Sequence, residues 1–266
     1  MRLSPVIAAA HVVVAGVAPA RPAWLPAPRA RRLDPLAALI CAAVGDLATD
    51  LPADSAVAVG SAWGCVDSTL RVVDGMAAFG DSGASPTAFT TSVHHHSAGS
   101  LGELLGLHGP VATLCCGGTS GLAALRWALG QLAAGRTTTA LVVAADLANP
   151  WTARTVAALS ACPFAIGGGA TALLLRCSGP GRACGLDVGE AGAWCDAGGQ
   201  SPAEERALAR SGGPTRRVAA AVHGNWWPTA ALAAVPWQDP APWRVRERGD
   251  GLLLEAWIGG DGPDQG

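Results

Sequence analysis

The apolar positions of the chain fall into two kinds of run, and the alternation of those kinds predicts its elements. Val6 to Val17 is almost unbroken in Val and Ala, the pattern of a strand buried on both faces. Asp34 followed by Pro35 opens the helical run LAALICAAVGDLA, with the carboxylate as cap and proline at the first helical position. SAVAVGSAWG, Ser55 to Gly64, predicts a second strand, and VDSTLRVVDGMAAFGDSG a polar helical segment. Ser85 and Pro86 predict a loop over SPTAFTTSVHHHSAG, followed by a short helix in SAGSLGELLGL. VATLCC, Val111 to Cys116, predicts a third strand, and LAALRWALGQLAAG a helix closed by Gly135. TTTALVVAADLA is a fourth strand, and PFAIGGGATALLLRC gives two extended pieces around Gly167 to Gly169.

Strands nearly continuous in Val, Ala and Leu, alternating with helices, require a sheet covered on both sides, so the core is a layered α/β unit. Beyond Cys177 the composition changes. GPGRACGLDVGEAGAWCDAGGQSP reads as Gly-rich loop, AEERALAR as a short charged helix, VAAAVHG and GLLLEAWIGG as strands, and the tail from Asp261 as frayed. The expected division is 1–177 as the layered domain and 178–266 as a Gly-rich extension.

Half of the 266 residues are hydrophobic and 14% are charged, enough apolar material for a substantial core. The formal charge of -2 comes without basic blocks, which argues against a nucleic-acid partner. The largest basic knot is Arg29, Arg31 and Arg32, in a Pro-rich loop. Lysine and tyrosine are both absent, which removes Schiff-base, P-loop lysine and tyrosine-acid chemistry. The first 23 residues, MRLSPVIAAAHVVVAGVAPARPA, are compatible with either a secretory signal or a buried first strand. No other run approaches the roughly 20 apolar residues of a membrane span.

The candidate chemistry lies in TLCCGGTSGLAAL, Thr113 to Leu125. A tight turn between a buried strand and a helix exposes a side chain, and the helix's free N–H groups favour a thiolate or oxyanion there. Cys116 is one reading of that turn, with an imidazole from His94 or His223 as base. The other places Cys115 and Cys116 on the strand as inert packing residues facing opposite sides. His94, His95 and His96 do not make a metal site, because in an extended segment at most two share a side and no carboxylate or cysteine stands at a supporting spacing. The eight cysteines show no zinc spacing, and Gly167 to Gly169 lacks the order of a nucleotide-binding loop. No cofactor is implied. Trp226 and Trp227 read as packing residues.

The order SPTAFTTSVHHHSAGSLGELLGLHGPVATLCCGGTSGLAAL, Ser85 to Leu125, resembles the beta-ketoacyl synthases of the thiolase superfamily. In that family a Gly-Leu-x-Gly-Pro segment precedes a strand and a Cys-containing elbow, and GLHGP, Gly106 to Pro110, is similar to it. PRARRLDPLAALICAAV resembles the family's Arg-Arg-Leu-Asp helix start, and ALVVAADLANP and PFAIGGGATALLLRC its later strands, so the likeness runs from Leu3 to Arg176. The resemblance implies a thiolase-like α-β-α half fold with a mixed five-stranded sheet and a short irregular C-terminal segment, the latter a reduced remnant of a second half.

Counted from Pro110 without a gap, the family's nucleophilic cysteine falls on Gly118, two residues past Cys116. His223-Gly224 resembles the first of the family's two histidine motifs, and nothing matches the second. A synthase-like chain without its nucleophile is similar to the chain length factor group of aryl polyene and type II polyketide systems, and FTTSVHH, Phe89 to His95, resembles a segment of that group. The implied role is non-catalytic: a cytoplasmic partner that forms a heterodimer with an active ketosynthase, meets an acyl carrier protein through the complex, and shapes the acyl tunnel in polyketide or fatty-acid-like biosynthesis. The implied interface and tunnel residues are Val111, Thr113, Cys115, Cys116, Phe89 and His94. An active condensing enzyme using Cys116 and a scaffold subunit are the alternatives.

Overall fold

A computed structural model describes residues 5–14, 21–159, 165–190, 221–222, 225–226, 232, 235, 237, 243–249 and 252–259. Its centre is strand β4 (Thr139–Asp146), buried at every position. Alternate residues explain why: Ala140, Val142 and Ala144 join one apolar cluster, and Leu141, Val143 and Ala145 join the other. Strand β2 (Ala56–Gly60) runs parallel to β4 and is likewise buried throughout. Strand β6 (Gly169–Arg176) pairs antiparallel with β4 on one side and with β1 (Val6–Val14) on the other. Strand β3 (Val111–Leu114) pairs parallel with β2 and ends the sheet.

Two helical layers cover this sheet. Helix α6 (Ser120–Ala133) places Leu122, Leu125, Ala128 and Leu132 on the face carrying Ala58 and Val142. Helices α2 (Pro35–Val44) and α5 (His96–Leu105) cover the opposite face, with Leu39, Ile40, Val44 and Leu101 against Val57, Val59 and Val143. The layered α-β-α architecture expected from the sequence is therefore present, with a mixed sheet.

The sheet has eight strands, not five. Beyond β1 it continues with β7 (Arg182–Glu190), β11 (Leu252–Ile258) and β10 (Trp243–Gly249), in the order β10-β11-β7-β1-β6-β4-β2-β3. RACGLDVGE, expected as loop, is thus a paired strand: its glycines lower strand propensity, but long-range pairing with β11 across seven positions outweighs that. Cys184, Val245, Ala256 and Ile258 join the α6-side cluster, so this extension shares the core. GLLLEAWIGG is β11, as expected, and part of VAAAVHG pairs as a two-residue strand β8 (Ala221–Val222) with β9 (Asn225–Trp226), beside β5 (Ala165–Ile166). The expected helix over 203–210, the tail from Asp261 and the side chain of Trp227 lie outside the described residues.

Three other expectations change in detail, the polar helical segment is found as expected, and one unforeseen helix is added. Pro86 to Thr91, read as loop, is helix α4 (Pro86–Thr91): Ser85 accepts from the Ala88 N–H at 3.3 Å and Pro86 occupies the first turn. The same Ser-Pro pair that signals a turn is also a helix cap. Within the Pro-rich loop, Ala27–Ala30 make one short helical turn, α1. Residues Val66–Phe79 form α3 and Pro150–Leu159 form α7, the latter capped by Asn149, whose Oδ1 accepts from Trp151 and Thr152 N–H. The third strand stops at Leu114, so Cys115 and Cys116 follow it instead of lying on it.

Asp34 behaves as the sequence predicts. Its Oδ1 accepts from Leu36 N–H at 3.0 Å and Ala37 N–H at 3.1 Å, while Oδ2 faces His96 Nε2 at 3.4 Å. Asp34→Ala removes both cap bonds and is expected to lower stability by about 1 kcal/mol, read from urea unfolding at neutral pH.

Candidate functional site

Three parallel strands, β3, β2 and β4, end at the same rim of the sheet, and the candidate residues collect there. One strand in from the edge, β2 ends at Gly60, where a Cβ would lie 2.2 Å from the Ser120 carbonyl oxygen. Only glycine lets the first turn of α6 approach this closely. Ser61 N–H then donates to Leu114 O at 3.1 Å, carrying the β2–β3 ladder one residue further.

The elbow after β3 is held by its own hydroxyls. Cys116 N–H donates to Ser120 Oγ at 2.8 Å, Ser120 Oγ donates to Gly117 O at 2.7 Å, and Thr119 Oγ1 donates to Cys116 O at 2.8 Å. Gly117 takes a left-handed φ of 57°, which turns the chain into a short 3-10 segment, Gly117–Thr119, before α6. Gly118 lies inside that segment.

Asp146, at the end of β4, has no exposed surface. Its Oδ1 accepts from Ser61 Oγ at 2.9 Å, Ala62 N–H at 2.8 Å and Trp63 N–H at 3.2 Å. The carboxylate thereby locks the turn after β2 onto the end of β4. Gly64 N–H closes the turn on Ser61 Oγ at 2.8 Å. The turn carries Trp63, whose ring meets Trp151 edge to face, with centroids 6.2 Å apart and planes at 87°.

Of the residues singled out from sequence, several converge here. Cys115 and Cys116 are both exposed at the elbow. The Cys115 sulfur is crowded even so: loss of hydration, then the negative charge of Asp146, push its pKa up to about 11, with smaller contributions from Cys116 and Cys65. His94 packs its ring on Gly64, where a Cβ would lie 2.1 Å from Nδ1. Val111 is 44% exposed on the edge strand, and Phe89 on α4 is 63% exposed. Thr113 is half-buried, and its Oγ1 is enclosed without a hydrogen-bond partner among the described residues.

The histidines separate. His94 and His95 precede α5, while His96 is its first residue and turns toward Asp34 and Ser100. Among the described residues no histidine hydrogen-bonds Cys115 or Cys116, and no group of three or more His, Cys, Asp or Glu is placed to hold a metal ion. His223 lies outside the described residues, as do Cys162 and Cys195. Sequence reasoning missed Asp146 and the Trp63–Trp151 pair. The signal for the first was an acidic residue closing an otherwise apolar strand; nothing in the spacing of the two tryptophans announces their contact.

The family model for the beta-ketoacyl synthase N-terminal domain matches residues 8–194. The chain belongs to the beta-ketoacyl synthase family. A search of curated proteins finds no match to this family member. Its fold is similar to solved structures throughout. A ketosynthase in complex with its chain length factor from Xenorhabdus doucetiae is 18% identical, with TM-score 0.62 over 96% of this chain and 99% of the other. The ishigamide ketosynthase/chain length factor is 18% identical, with TM-score 0.70 over 96% and 99%. A beta-ketoacyl synthase from Burkholderia phymatum is 14% identical, with TM-score 0.71 over 97% and 99%. At these identities the likeness shows the thiolase-like fold. Among the described residues of this ketosynthase-family chain no helix is long and apolar enough to cross a membrane.

Asp146→Ala leaves two backbone N–H groups and a hydroxyl without their acceptor, and is expected to destabilise by on the order of 3–5 kcal/mol, against about 1 kcal/mol for Ser61→Ala, measured by urea unfolding with tryptophan fluorescence. The raised Cys115 value predicts a second outcome. The thiol stays protonated below the ordinary value of 9.0, and its contribution to stability is lost as pH rises through about 11. Iodoacetamide labelling of Cys115, followed by peptide mass, should be slow at neutral pH and accelerate across that window.

Proposed function

We propose that the chain is a non-catalytic ketosynthase partner of the chain length factor kind, which pairs with an active beta-ketoacyl synthase in the cytoplasm and bounds its acyl tunnel in polyketide or fatty-acid-like biosynthesis. The observation that carries this reading is the contrast between the two ends of the sheet. Strand β10, WRVRERG, holds three arginines and a glutamate, the kind of sequence that discourages strand addition. Strand β3, VATL, holds no charge, carries Val111 with 44% exposure, and is followed by two exposed thiols. An uncharged free edge is stable when a matched partner covers it.

Two further observations support it. Gly118, which has no side chain to acylate, stands where the family resemblance puts the nucleophile. Two of the similar structures are ketosynthases with their chain length factors, and a third is a ketosynthase with a type II polyketide acyl carrier protein. On this reading residues 1–177 are the ketosynthase N-terminal-like unit and 178–266 a reduced remnant of the second half. Val111, Thr113, Cys115, Cys116, Phe89 and His94 face the partner or its tunnel, and a carrier protein reaches the chain through the complex.

Co-expression with a catalytic ketosynthase of a chain length factor system is expected to give a 1:1 complex, whose products shorten when Thr113→Phe enlarges the rim. Incubation of the purified chain with an acyl thioester should leave Cys116 unmodified. Robust acylation of Cys116 would establish the active condensing enzyme instead, and a complex whose products ignore Thr113→Phe would establish the scaffold.

A further inference from the structure

We propose that the cleft between the α1–α2 segment, α3 and α4 binds a small, free phosphate ester bearing hydroxyl groups, the chemistry shared by sugar phosphates and nucleotides. The inference is independent of the partner reading above. The cavity measures about 620 Å³, inside the roughly 300–1,000 Å³ of pockets that hold small ligands. Arg31 and Arg32 line it from the segment before α2, Ser68 and Arg71 from α3, and Ser85 and Thr87 from the start of α4.

The exposed part of the lining is cationic. Arg31 and Arg32 are both exposed, and neither pairs with a carboxylate among the described residues. Arg71 is 60% exposed and donates to Asp67 at 3.0 Å, which orients its guanidinium while using one of its five N–H donors. Three guanidinia around one cleft suit a phosphate group, whose oxygens accept their paired N–H groups.

The buried part of the lining calls for hydroxyls. Asp34 lines the cavity with its side chain only 5% exposed. Its Oδ1 serves the α2 cap, but Oδ2 accepts no hydrogen bond among the described residues, although His96 Nε2 stands 3.4 Å away. A carboxylate oxygen buried without a donor is costly, and a ligand hydroxyl supplies one. Ser68, 3% exposed, accepts from Thr91 Oγ1 at 2.9 Å, and its own proton has no acceptor among the described residues. A sugar body offers both functions, donating to Asp34 and accepting from Ser68, whereas an anion without that body meets the carboxylate with like charge.

The test is isothermal titration of the purified full chain with ribose phosphate, adenosine monophosphate and inorganic phosphate. At least one of the two esters is expected to saturate below about 1 mM and to bind about tenfold tighter than inorganic phosphate. Tighter binding of adenosine monophosphate identifies a nucleotide site, and tighter binding of ribose phosphate a sugar-phosphate site; either supports the proposal. Arg32→Ala should weaken the ester by about tenfold. Asp34→Asn, which keeps an oxygen for the α2 cap, should bring the ester down to the affinity of inorganic phosphate. Arg29→Ala, outside this cavity and paired with Glu103 at 3.4 Å, is the control and should change nothing. The proposal is overturned by any of three results: no saturable ester binding, inorganic phosphate matching the esters, or Arg29→Ala weakening them as much as Arg32→Ala does. Binding confined to an acidic carrier protein, with no ester bound, would overturn it too, and none of these results bears on pairing with a ketosynthase. Arg32→Ala alters an exposed side chain, so it remains decisive if Asp34→Asn does not fold.

Discussion

Asp146 places a fully buried carboxylate at the end of β4, a strand whose residues from Ala140 to Ala145 are all Ala, Val or Leu. A charge without partners there would be costly, and the fold offsets the cost by aiming two backbone N–H groups and the Ser61 hydroxyl at one oxygen. Because those donors belong to consecutive residues after β2, the carboxylate does more than satisfy itself. It fixes the turn carrying Trp63, Gly64 and Cys65, and through Gly64 the seat of the His94 ring. The arrangement of the rim follows from this one set of bonds.

A second constraint is steric. Gly60 allows the α6 N-terminus to meet the end of β2, and the Ser120 and Thr119 hydroxyls then close the elbow on itself. The backbone groups that an elbow normally turns toward a ligand are partly engaged within the turn. Cys116 presents its sulfur from a segment whose hydrogen bonds serve geometry.

Much of the fold was legible in advance where local chemistry and long-range packing agree. Asp34-Pro35 fixes the start of α2 because both the cap and the first-turn proline act within three residues. The continuous apolar runs at Val57 and at Leu141 announced strands buried on both faces, and both are. Local reading failed where pairing partners are distant. RACGLDVGE looks like loop until β11 supplies its hydrogen bonds, and Ser85-Pro86 reads equally as turn or cap until the packing of α4 on α3 and α5 decides.

The same division runs through the candidate site. Sequence alone determined the class of fold, the elbow, the glycine at position 118, and the lack of lysine and tyrosine, because each is a property of residue identity or of spacing within one element. Only the tertiary structure decided that Asp146 binds the turn 85 residues before it, that Trp63 and Trp151 touch, and that β3 is left at an uncharged edge. These depend on strand order. A run of apolar residues specifies that a strand is buried, but which neighbours it meets is set by how all the strands and helices hide their surfaces together.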